Sequence, residues 1–243
     1  MAPRSLILTP TGVPMFFHED YDKDNHWRYT KPERTYDTCL MVYNDYHPEP
    51  GTYDFIIRRK GLKWNLLNDV SKMINWNDYD YIACIDDDWC TDIKSMNRAF
   101  EVARAFDFRL FHMSVTSFNT FPCMRHNPKY FFTETNFVEC GAPIFRNDKF
   151  RQMMNFLDDY KYEKSDWGLD KIMCHYLNTT AHVLHEVTIR HCREGESTYD
   201  HNDGFREMEY LMRDFYPKYS KEKLGREYTY SDDQRELRIY ENG

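Results

Sequence analysis

The stretch Tyr79-Asp80-Tyr81-Ile82-Ala83-Cys84-Ile85-Asp86-Asp87-Asp88-Trp89 constrains this chain more than any other. A short apolar run bounded by polar turn formers predicts a buried strand, and this one leads straight into three consecutive carboxylates. Adjacent like charges at a partly buried strand end repel, so at least one would hold its proton unless a cation neutralised the group. Carboxylate oxygens suit a hard divalent ion, Mn2+ or Mg2+. Such sites use one or two protein carboxylates and fill the other positions with water and phosphate. Runs of Asp also occur as solvated loops and helix caps. Here an apolar strand leads in, and Ile93, Met96, Phe100, Ala103 and Phe106 mark one face of a helix leading out. The triplet is therefore expected at the carboxyl edge of an open α/β sheet, where ligands bind.

The surrounding chain supplies the rest of such a sheet. Arg4 to Leu8, Tyr36 to Val42 and Tyr53 to Ile57 read as strands, and Thr9-Pro10-Thr11-Gly12 reads as a turn whose backbone could approach a nucleotide. Residues 13–35 are polar and aromatic without a period, and an irregular loop over the site is expected there. Leu66, Leu67, Val70, Met73 and Ile74 recur at helical spacing just after the basic stretch Arg58 to Lys63. A helix start reinforced by Arg58, Arg59 and Lys63 would suit a phosphate, although basic residues at such a junction are also commonly solvated. Arg109 to Val115 and Ala181 to Ile189 read as further strands, with a loop over 116–128. The alternation of strands and helices calls for a mostly parallel sheet flanked by helices.

Two later segments carry candidate chemistry. In Phe137 to Phe145, Glu139, Gly141 and Pro143 interrupt an apolar run, as close approach to a ligand or a β-bulge would require. In Ser165 to Asp170, the spacing of Leu169, Ile172, Met173, Tyr176 and Leu177 predicts a helix beginning at or just before Trp167, with Asp166 as its N-cap. Asp170 then lies about 100° round the helix from Leu169, on the flank of the buried face in the first turn.

Ile85-Asp86-Asp87-Asp88, followed in order by Phe137 to Phe145, by Asp166-Trp167-Gly168-Leu169-Asp170 and by a strand ending at His191, resembles a little-characterised family of GT-A-fold glycosyltransferases of plants, bacteria and large DNA viruses. The resemblance spans about residues 60 to 192 and includes the Lys63-Trp64 pair. It implies a GT-A (nucleotide-diphospho-sugar transferase) fold over 1–192; the strongly charged residues 193–243 read as an appendage packed on the same domain, a helix over about 204–215 plus an extended segment. The resemblance also implies a metal-dependent, inverting transfer of sugar from a UDP- or GDP-linked donor to a hydroxyl of a carbohydrate or glycoprotein acceptor. Asp86 and Asp88 would be metal ligands, direct or through water, with His191 completing the shell and His185 as its substitute. Asp87 would lie near the ribose or sugar. Thr9, Thr11, Arg58, Lys63, Asp86, Asp87, Glu139 and Gly141 would contact the nucleotide sugar. Asp170 would be the catalytic base, with Asp166 as its understudy.

Composition narrows the classes. A net charge of −8 argues against a nucleic-acid partner, since phosphate backbones are bound by clustered Lys and Arg. No run approaches the ~18 apolar residues of a membrane span, and the short apolar start is not a signal peptide, so a soluble, cytoplasmic protein is expected. Seven cysteines, an odd number without a Cys-X-X-Cys pair, read as reduced thiols. Two other classes remain. A haloacid-dehalogenase-type phosphatase also follows a strand with Asp-X-Asp, but near the chain start and continuing to Thr or Val, where this chain has Cys90. A non-catalytic sugar-binding scaffold is the other.

Overall fold

A computed structural model describes residues 4–117, 120–160, 165, 167–193, 200–230 and 234–242. Ten strands, β1 (Arg4–Thr11), β2 (Tyr36–Val42), β3 (Phe55–Arg58), β4 (Tyr79–Cys84), β5 (Trp89–Cys90), β6 (Leu110–Val115), β7 (Tyr130–Thr135), β8 (Ile144–Arg146), β9 (Ala181–His191) and β10 (Glu236–Glu241), form the sheet among the described residues. Their order is β10-β7-β9-β6-β8-β4-β1-β2-β3, with β5 against the end of β9. Strands β1, β2, β3, β4, β6, β9 and β10 run one way, while β5, β7 and β8 oppose them. The expected mixed, mostly parallel sheet is thus present.

Helices cover both faces, which is why the central strands are apolar on both sides. Strand side chains alternate between faces. Leu6, Leu8, Ile82 and Cys84 therefore join a core with α1 (Lys63–Ser71), α3 (Asn147–Asp159) and α4 (Leu169–Leu177). Ile7, Tyr81, Ala83 and Ile85 join the opposite core, where α2 (Ile93–Phe106) contributes Met96, Phe100 and Ala103. Asp92 caps α2 by accepting a hydrogen bond from the Ser95 amide at 2.7 Å. The helix thus begins at the fifth residue after the acidic triplet, as its apolar period requires.

Several expectations are corrected. Helix α4 starts at Leu169 with Gly168 at its N-cap, φ 92°, instead of at or before Trp167. A Cβ there would lie 3.2 Å from Met208, so backbone conformation and packing both select glycine. Asp166, the expected cap, lies outside the described residues. Within Phe137 to Phe145 only Ile144 and Phe145 are strand residues, because Gly141 and Pro143 keep the preceding backbone irregular. Strands β7 and β10 were not expected. Beyond 193, α5 (His201–Glu209) continues through π-helical turns and α6 (Tyr216–Tyr219) to Leu224, longer than the helix expected over 204–215. Leu211, Met212 and Tyr216 of this stretch are buried in the core that holds α3 and α4. The reduced-thiol reading fails for one pair: Cys90 and Cys192 form a disulfide, while Cys39, Cys84, Cys123, Cys140 and Cys174 are free and buried. Two cysteines 102 residues apart meet because β5 pairs with the end of β9.

Candidate active site

The chain passes from β1 outward to β2 and β3, then returns to place β4 on the other side of β1. This reversal opens a crevice at the carboxyl ends of β1 and β4, the position where open α/β sheets bind ligands. The acidic triplet leaves β4 there.

Each aspartate meets a different neighbour. The Asp86 Oδ1 pairs with Lys63 Nζ at 2.8 Å, and the same ammonium donates to the carbonyls of Cys140 and, at 3.2 Å, Gly141. The Gly141 carbonyl also accepts from the Asp86 amide at 2.9 Å. Lys63, with 10% of its side chain exposed, therefore ties the acidic turn to the irregular 138–141 segment instead of projecting a charge toward solvent. Asp87 Oδ2 accepts from the Gly12 amide at 2.8 Å, joining the ends of β4 and β1. Burial pushes the Asp87 carboxyl up to about 6 against the opposing effect of that amide. Asp88 Oδ2 lies 3.1 Å from His191 Nε2, and the Asp88 carbonyl accepts from the Cys192 amide at 2.8 Å. The hydrogen bond to Asp88 holds His191 above its ordinary value, and 43% of the His191 side chain is exposed.

Other expected residues fall at varying places. Gly141 packs on Trp89, whose ring would lie 2.4 Å from a Cβ at that position. Glu139 Oε2 accepts from Thr120 Oγ1 at 3.3 Å, and its charge acts on His191. Thr9 and Thr11 are fully buried, and their hydroxyls bond to the carbonyls of Pro10 and Thr9. Arg58 is exposed at the end of edge strand β3 and donates to the Tyr46 carbonyl at 3.0 Å. Asp170 sits in the first turn of α4, its Oδ1 accepting from the Lys171 amide at 2.9 Å. Three residues, 178–180, separate α4 from β9, so the helix runs back along the strand it feeds and its first turn lies toward the carboxyl edge. His185 is buried within β9, where its Nδ1 accepts from the Asn127 amide at 3.1 Å, away from the acidic turn.

Sequence reasoning missed other contributors. Trp27 is buried under the turn, its indole donating to the Trp89 carbonyl at 2.9 Å and its amide to the Thr91 carbonyl at 3.3 Å. Glu207 of α5 is buried and accepts from both the amide (2.6 Å) and the hydroxyl (3.0 Å) of Ser165, fixing the approach to α4. Neither residue belongs to a periodic pattern or motif, so no local signal marked it.

The donors suit a divalent ion in one respect. Asp88 and His191 supply one carboxylate and one imidazole within a hydrogen bond of each other at a solvent-accessible place, and two protein ligands suffice where phosphate and water supply the others. Among the described residues no three His, Cys, Asp or Glu side chains gather around one point, and Asp86 is held by Lys63.

No protein-family profile and no curated protein sequence matches the chain. Among solved structures it is similar to residues 1–349 of S. aureus TarS in complex with UDP-GlcNAc, with a TM-score of 0.52 at 12% identity over 91% of this chain and 74% of that one. A second similarity, to A197 from STIV, has a TM-score of 0.38 at 11% identity over 82% and 98% of the two chains, too slight to argue from. The chain has the GT-A-like fold.

Proposed function

We propose that the protein is a metal-dependent glycosyltransferase that moves a sugar from a nucleotide-diphosphate sugar to a hydroxyl of a carbohydrate or glycoprotein acceptor. The observation that carries this reading is the meeting of Asp86, Asp87 and Asp88 with Lys63, Gly12, Gly141 and His191 at the β1/β4 crevice. The structural neighbour bound to UDP-GlcNAc supports a UDP-linked donor.

Asp88 and His191 would hold Mn2+ or Mg2+, which when bound supplies Lewis acidity to the departing diphosphate. Lys63 neutralises Asp86 and holds the 138–141 segment against the turn, forming one wall for the sugar with Glu139 on it. The Asp87 carboxylate secures the Gly12 amide, so the ends of β1 and β4 stay together beneath the nucleotide. Asp170 would take the proton of the acceptor hydroxyl as the new glycosidic bond forms, inverting the anomeric centre. The Ser165 to Glu207 contacts hold the chain leading into α4 and so orient that base.

The test is a transfer and hydrolysis assay with a panel of labelled UDP- and GDP-sugars, with Mn2+ and with chelator. Release of sugar from one donor only with the metal is the expected result. Absence of turnover across the panel, combined with a phosphoenzyme on Asp86 from phosphate-ester substrates, would replace this reading with the phosphatase one.

A further inference from the structure

Arg28 is fully buried, and its Nε, Nη1 and Nη2 have no hydrogen-bond partner among the described residues. A guanidinium removed from water without an acceptor is among the costliest arrangements a fold can carry. Such a group persists where another state of the molecule satisfies it.

Its location says which state. Trp27 is anchored to the carbonyls of Trp89 and Thr91, just past the acidic triplet, and Tyr36 donates to the Trp27 carbonyl at 2.6 Å. These bonds deliver the next residue, Arg28, to the acidic turn, where its charge and that of Asp87 act on each other. Lys63 is spent on Asp86 and two carbonyls, and His191 is bonded to Asp88. Arg28 is the buried cation of this turn whose donors are uncommitted among the described residues. Residues 13–25, which lead up to it, contribute no buried side chain to either core. Shifting them to admit a ligand therefore sacrifices little packing.

We infer that Arg28 binds a phosphate oxygen of the nucleoside diphosphate in the donor complex. The assignment rests on the nucleotide-sugar reading above. A planar guanidinium with several donors matches phosphate geometry, and pairing there removes the cost it carries in the free chain.

The experiment is titration calorimetry of the full chain in Mn2+ with UDP, GDP, uridine and guanosine, comparing the parent with Arg28→Met and Arg28→Lys, together with thermal melting without nucleotide. Arg28→Met should weaken the diphosphate that the parent binds roughly 10- to 100-fold, the loss expected for a charged hydrogen bond. The matching nucleoside should be unaffected, and Arg28→Lys should recover part of the loss. Without nucleotide, Arg28→Met should melt no lower than the parent, because it removes a buried charge with no hydrogen-bonded partner. Diphosphate affinity equal to the parent's overturns the inference. So does an equal loss for nucleoside and diphosphate, or a lower melting temperature with the nucleotide-induced rise intact, either of which assigns Arg28 to the base or to the fold. A parent chain that binds none of the four withdraws the nucleotide reading and this one with it.

Discussion

The two halves of the sheet are built differently. Strands β3, β2, β1 and β4 are all parallel, and β2 is buried along its whole length. Strands β8, β6, β9, β7 and β10 mix directions, the β6/β9 register slips between Met113 and Ser114, and β10 is exposed throughout. The first half supplies the acidic triplet and Gly12, while the second supplies His191, Gly141 and the helix bearing Asp170. The candidate site is therefore a seam: the parallel side presents the carboxylates and itself answers Asp86 with Lys63 and Asp87 with Gly12, while the irregular side meets it through His191 on Asp88 and the Gly141 carbonyl on the Asp86 amide. Substitutions on either side should act together where they share a contact and separately where they do not.

The largest effect is expected at Asp88 and His191, which meet across the seam. Asp88→Ala should lower metal-supported turnover roughly 10³-fold, several kcal/mol of lost charge stabilisation. Adding His191→Ala should cost little more, because the two act as a unit. Fully additive losses in steady-state kinetics would separate them. Next, Asp170→Asn should reduce kcat about 10²-fold while nucleotide affinity, read by calorimetry, stays at the parent value. An unchanged kcat would remove Asp170 as base.

Lys63→Met breaks the tie between the two sides and takes the ammonium away from Asp86. Because 28% of the Asp86 side chain keeps contact with solvent, the loss should be roughly 2–3 kcal/mol in urea unfolding, below the figure for a fully buried pair. A loss under about 0.5 kcal/mol would reduce the pair to an ordinary surface contact.

How much of this was legible follows the same division. In the parallel half, burial on both faces demands apolar runs such as Leu6 to Leu8, and Tyr36 to Val42, interrupted by Asp37 and Thr38, was still readable from its weak alternation. Asp86 to Asp88 could be placed at the carboxyl edge because strand and helix flank them. On the other side, β10 is short, charged and exposed, so Glu236 to Glu241 carries no core signal. Strand β7 lay beyond a loop rich in turn formers. The disulfide was invisible because the β5 to β9 pairing that brings Cys90 to Cys192 is a tertiary event. Arg28 and Glu207 act through burial, which one-dimensional spacing does not encode.

Smaller effects should appear with pH. Burial lowers His112 and His185 to about 4 and His26 to about 3, the last aided by the Arg28 charge. Below pH 6.5 the unfolded chain binds more protons at these residues than the folded one. Stability from them is complete above 6.5 and is lost as pH falls toward 4. Urea midpoints at pH 7.5, 6 and 5 should decline in that order, and His112→Gln should flatten part of the slope. Asp87 and His191, both raised, act in the opposite direction, so the check is the variant: a slope that His112→Gln leaves unchanged would mean that this imidazole is not buried neutral. The smallest effect belongs to the exposed edge: Tyr240 stacks on Phe132 at 4.2 Å, and Tyr240→Ala should cost about 1 kcal/mol in unfolding without changing turnover.

The most direct measurement is anomalous diffraction from crystals soaked with Mn2+ and UDP. The expected map has a manganese peak between Asp88 and His191 with the diphosphate beside it, at the crevice between β1 and β4. Crystals that bind UDP while Asp88 and His191 stay hydrogen-bonded to each other, with no metal peak near them, would contradict the claim that this acidic turn holds the ion.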